Sequence, residues 1–153
     1  MSIFAPMQTL KIALRHRLSQ VTTYWYTCSE ETLKQRPAPG KWSKKEILGH
    51  LIDSAQNNIR RLVVGQYEPG AHIVYNQDVW VQAADYQDYK SGDLIQLWVL
   101  LNQHFIRVME NLPESAYPVL TNWGKDEPEY VTLQYVAEDY LRHLDHHLAQ
   151  LYR

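Results

Sequence analysis

The chain has 153 residues, 45% hydrophobic and 21% charged, which is the composition of one soluble globular domain large enough to bury a core. A formal net charge of −2, with basic residues scattered in pairs such as Lys44–Lys45 and Arg60–Arg61, argues against nucleic-acid binding, because phosphate neutralisation needs a basic face. Cys28 is the single cysteine, so no internal disulfide can form and a reducing compartment is expected. The opening residues Met-Ser-Ile-Phe-Ala-Pro-Met-Gln lack a signal-peptide pattern, and no apolar run reaches bilayer-spanning length. The expectation is a cytoplasmic, single-domain protein (1–153) with no membrane or nucleic-acid partner.

In chain order, Pro6 suits the first turn of a helix running to about Thr27, with Leu10, Ala13, Leu14, Leu18, Val21 and Trp25 at helical spacing. Ser29 is the expected cap of a short helix that Pro37 ends, followed by a turn-rich connection, 37–42. Ser43-Lys44-Lys45-Glu46 reads as a capping box opening a second long helix to about Val64, with Gly65 as its stop. Trp42, just before the cap, is placed to staple against Ile47. Residues 67–90 are the least regular stretch, with a short helix expected around Asp78–Tyr86. An insertion of this length commonly forms a lid or the rim of a site.

Ser91-Gly92-Asp93 begins a third long helix through Leu94, Leu97, Trp98, Leu101, Phe105, Val108 and Met109, ending before Pro113. Trp98 and Phe105 are assigned to core. The last helix starts near Thr132 and continues to the end. Ile73–Tyr75 and Tyr117–Leu120 are candidates for short extended pieces, too sparse for a sheet. Four long amphipathic segments predict an all-α, antiparallel four-helix bundle with a long insertion between its second and third helices.

The strongest chemical signal lies on the last helix. His143 and His147 are four residues apart, so their rings share one face, one turn from each other, as a helical H-x-x-x-H metal clamp requires. His146 points to the solvent side. The bland reading is a solvated, histidine-rich face. His50 is the leading third ligand, yet it sits well off the apolar centre of its helix (Ile47, Leu51, Ala55, Leu62). That position fits a polar cleft between helices and equally fits a surface histidine; spacing alone does not decide.

The segment Trp42–Ser54, with Gly49-His50-Leu51-Ile52-Asp53-Ser54 at its end, resembles the second-helix signature of the DinB-like superfamily. Thr132–His147 resembles its last-helix signature, and the Asp78–Ala83 insertion is similar too. The resemblance implies a four-helix bundle with a metal held by three histidines, here His50, His143 and His147. Many relatives carry a further histidine where this chain has Gln150. The family includes thiol S-transferases using bacillithiol or mycothiol, mycothiol-dependent isomerases, and proteins with no assigned reaction.

Three neutral imidazoles leave a divalent ion with an open position. Zinc is the default by ligand type, while nickel, cobalt, manganese or iron also suit imidazole. Such an ion activates a thiol, as an S-transferase needs, or water, as a hydrolase needs. A third reading is a non-catalytic stress protein that binds metal or a small molecule. No carboxylate is clearly placed as a base. Asp53 and Glu46 are candidates to orient a ligand ring from behind, with solvated helix surface as the alternative. Asn57, Tyr75, Trp80 and Tyr86 are candidates to line the substrate pocket, although loop aromatics more commonly just pack on the bundle. Cys28 reads as a small buried hydrophobe rather than a nucleophile. The expected partner is a small-molecule substrate, such as a low-molecular-weight thiol. A homodimer is compatible with a bundle of this size, with no stripe marking an interface.

Overall fold

A computed structural model describes residues 4–153, with side chains from Met7 onward. Its long helices are α1 (Phe4–Thr27), α3 (Lys44–Tyr67), α5 (Ser91–Asn111) and α6 (Leu133–Leu151), with short α2 (Glu30–Lys34) and α4 (Gln77–Ala84) between them. No helix among the described residues is long and apolar enough to cross a membrane.

Local chemistry sets most of the boundaries. Ser43 accepts from the Glu46 N–H while Glu46 accepts from the Ser43 N–H, the reciprocal capping box read from the sequence. Ser29 caps α2 through the Thr32 N–H, and Thr132 caps α6 through the Tyr135 N–H. α4 sits a little earlier than the spacing suggested: Asn76 accepts from the Asp78 and Val79 N–H groups, and Asp85 takes a left-handed conformation that ends the helix. Gly65 does not stop α3, which runs on to Tyr67. A Cβ there would lie 2.7 Å from the Leu133 side chain, so the glycine lets α6 approach α3.

α1, α3, α5 and α6 form the four-helix bundle. α1 packs on α5 and α6, and so does α3. The pairings Lys44–Leu151 and His50–His143 run α3 antiparallel to α6. Trp25–Ser91 and Arg15–Glu110 do the same for α1 and α5. Across the seam, Arg17–Asp145 and Tyr24–Leu151 show that α1 and α6 run in the same sense. Two antiparallel pairs thus lie side by side.

The core holds the predicted Leu14, Val21, Trp25, Ile47, Leu51, Ala55, Leu62, Trp98 and Phe105, together with Leu48, Leu133, Val136, Tyr140 and Leu144, all buried. Phe105 stacks on Tyr140, whose hydroxyl donates to Asn102. The extended pieces exist but are shifted. β1 (Leu120–Asn122) and β2 (Tyr130–Thr132) make an antiparallel pair, and His72 bridges to Asn122 beside them.

Candidate metal centre

α3 is wrapped by α2, α4, α5 and α6, so even its polar positions are buried. This settles where His50 goes. It lies off the apolar centre of the wheel and is nevertheless 0% exposed. His143 and His147 lie half-buried on the face of α6 that packs against α3. One ring nitrogen from each of the three lies within 4.8 Å of the others. The His50 and His143 Nε2 atoms are 3.2 Å apart, and the three ring centroids are 4.6 to 5.1 Å apart in near-perpendicular array.

One outer ring nitrogen has a partner that decides its tautomer. His147 Nδ1 lies 3.0 Å from Gln150 Oε1, which only accepts, so Nδ1 carries the hydrogen and Nε2 keeps its lone pair. His143 Nδ1 faces Ser54 Oγ at 3.4 Å. His50 Nδ1 is buried without a partner; the Trp42 ring, 4.9 Å from the His50 ring, covers that side of the site.

Burial keeps the cluster uncharged. It holds His50 down to about 3, helped by His147 and His143. His143 is held at about 4 by burial and then by His147, His146 and Arg61. His147 is lowered by burial, with Gln150 opposing. Neutral imidazoles are what a divalent cation binds. Zinc–nitrogen bonds of about 2.0–2.1 Å put tetrahedral ligands roughly 3.3 Å apart, and the His50–His143 pair is already at 3.2 Å. The residues present fit a divalent ion.

Beside His147 opens a cleft of about 760 Å³ whose walls include Trp42, Ile47, Lys44, Gln77, Asp78 and Gln150. The histidine cluster therefore has an accessible side.

The profile of the DinB superfamily matches residues 13–151. The chain belongs to that superfamily. Among solved structures it is similar to YfiT from Bacillus subtilis, described as a probable metal-dependent hydrolase with an unusual four-helix bundle topology. The TM-score is 0.81 at 20% identity, covering 99% of this chain and 86% of that one. At such identity the likeness is one of fold. No curated protein matches the chain.

Within this DinB superfamily member the other sequence-predicted residues lie apart from the cleft. Glu46 does not orient a histidine: Arg36 binds both its oxygens and the Ser43 N–H binds one, which also holds its carboxyl below the usual range. Asp53 is buried one turn from His50, and the Tyr86 hydroxyl donates to its Oδ1 at 2.5 Å. Its Oδ2 has no partner, so it is not bonded to His50 either. Burial pushes Asp53 up to about 6, against the lowering effect of Tyr86.

Asn57 is buried and donates to its own helix at the Asp53 carbonyl. Tyr75 packs edge-on against the part-exposed Trp80, 5.7 Å between centroids. Tyr86 lies over Gly49, where a Cβ would be 2.0 Å from its ring, and lines only a smaller neighbouring cavity. None of these four walls the cleft beside His147; the insertion reaches it instead through Gln77 and Asp78. Sequence reasoning missed Trp42, Ser54 and Gln150 as site residues. The first was read as a staple, the second only as part of the second-helix signature, and the third only as a departure from the family pattern.

Proposed function

We propose that this chain is a metal-dependent enzyme whose divalent ion is held by His50, His143 and His147. The observation that carries the reading is the convergence of three uncharged imidazoles from α3 and α6, with nitrogens within 4.8 Å. Zinc is the default by ligand type, with another first-row metal as the alternative. When bound, the ion supplies Lewis acidity that makes a small nucleophile available at neutral pH.

The protein's own groups do the rest. Gln150 and Ser54 orient the His147 and His143 rings, Trp42 shields His50 from water, and the cleft admits a small-molecule substrate to the His147 side. An open cleft favours an enzyme over a non-catalytic metal store. For the reaction, the likeness to YfiT supports hydrolysis, and the family resemblance supports thiol S-transfer; both use the same ion and cleft.

Elemental analysis of the purified protein beside a His143→Ala variant tests the site. Near-stoichiometric metal is expected in the first and at least about tenfold weaker retention in the second. Equal content in the two would overturn the reading. Turnover of simple esters or amides without added thiol would favour hydrolysis, and turnover only with a low-molecular-weight thiol would favour transfer.

A further inference from the structure

The cleft beside His147 differs in charge from the chain around it. The protein carries a formal net charge of −2, yet the cleft walls bear the side chains of Lys41, Lys44 and Arg153 against a single acidic side chain, Asp78. The Lys41 and Arg153 side chains make no hydrogen bond or ion pair among the described residues, so their charges are unspent. Lys44 is fixed: its ammonium donates to the Leu151 carbonyl and lies 5.6 Å above the Tyr24 ring. That contact also covers the negative C-terminal end of α6, while the first turn of α3, the positive end of a long helix, forms part of the same wall. Trp42, its ring centroid 6.5 Å from that of His147, adds a flat apolar surface to the cleft wall.

We propose that this cleft selects an anionic small molecule, one bearing a carboxylate or phosphate held by Lys41 and Arg153 in the positive field of Lys44 while its apolar body lies on Trp42. The reacting group then reaches the His147 side. This substrate class rests on the metal-dependent reading of the same site. Asp78 stands on the opposing wall at the start of α4 and works against the anion, setting an upper limit on how much negative charge the cleft accepts. Lys41 and Arg153 bind the oxyanion as specificity residues; they take no part in bond making.

The test is a titration of phenyl phosphate, with benzyl alcohol as the neutral comparison, into metal-free protein, followed by the indole N–H resonance of Trp42. Using metal-free protein removes direct ligation as a source of binding. Phenyl phosphate is expected to shift the resonance saturably and benzyl alcohol far less. Lys41→Glu and Arg153→Glu should each weaken phenyl phosphate by about fivefold, and Asp78→Asn should tighten it by about twofold, the contrast shrinking as salt is raised. Equal responses to the two probes, or charge variants that leave the phosphate affinity unchanged, would overturn the proposal. Metal content measured on the untreated wild type and His143→Ala is read separately. Equal metal there overturns the metalloenzyme reading, whereas a flat charge response with the metal difference intact overturns only the substrate class.

Discussion

The two halves of α3 bury polar groups in opposite ways. In the second half, Arg61 donates through Nε and Nη2 to the Ile73 carbonyl and through Nη1 to Asn58, and its guanidinium covers the Trp123 ring at 5.5 Å. Asn58 in turn bonds Ser54. These groups are buried and satisfied. In the first half, His50 Nδ1 and Asp53 Oδ2 are equally buried and have no partner. Buried polar atoms without partners cost free energy and are rare. The first half therefore carries groups that folding alone does not explain; the second carries a staple for the insertion. Trp98 Nε1 is the third such orphan, and nothing in the structure accounts for it.

Substitutions sharpen that contrast. Arg61→Met should have the largest effect on folding, a loss of about 2–4 kcal/mol in urea denaturation, because the Ile73 carbonyl and Asn58 lose their partner inside the protein. A loss below about 0.5 kcal/mol would erase the distinction between the halves.

His50→Leu should do the reverse. Metal retention disappears, while the stability of the metal-free protein stays within about 1 kcal/mol of wild type or rises, since a buried imidazole whose Nδ1 has no partner gives way to an apolar side chain of similar bulk, at the cost only of its Nε2 contact with His143. The variant also tests pH dependence. His50 and His143 stand at about 3 and 4 in the folded chain against about 6.5 when unfolded. Below pH 6.5 the unfolded chain therefore takes up protons the folded one refuses, and metal-free wild type should lose stability as pH falls from about 6.5 toward 4. Asp53, raised to about 6, contributes with the opposite sign: its share is present at low pH and is lost as pH rises through 6. Two histidines outweigh one carboxyl, and His50→Leu should flatten the acid slope measured by thermal melting. An unchanged slope would show that His50 is not held neutral by burial.

Gln150→Ala, on the exposed side of the site, should weaken metal affinity by about tenfold with little change in melting temperature, because only the orientation of His147 is lost.

Much of this was legible in the sequence. The Ser43 capping box, the Ser29 cap, the start of the last helix near Thr132 and the α1 and α5 stripes are local signals, and the structure follows them. The His143–His147 face is local too. The fate of His50 was not, because a helical wheel weighs one apolar stripe, while α3 is enclosed by four other helices and buries its polar side as well. For the same reason Gly65 looked like a stop: the neighbour that demands a glycine, Leu133, lies far along the chain. Trp80 and Tyr86 were placed in the right segment but not on the right wall, since which side of an insertion meets the cleft depends on how α4 docks. The shared use of Glu46 by Ser43 and Arg36 likewise needed coordinates to see.

The histidines that meet at the bundle face lie 93 residues apart, at positions 50 and 143, with the third one turn further on. During synthesis, a chain still missing α6 carries only one of them, so the cluster comes into being only when this nineteen-residue helix has emerged and docked. Metal uptake would then report the docking of α6, and chains truncated before position 143 would stay inert toward the ion however well α1, α3 and α5 had collapsed.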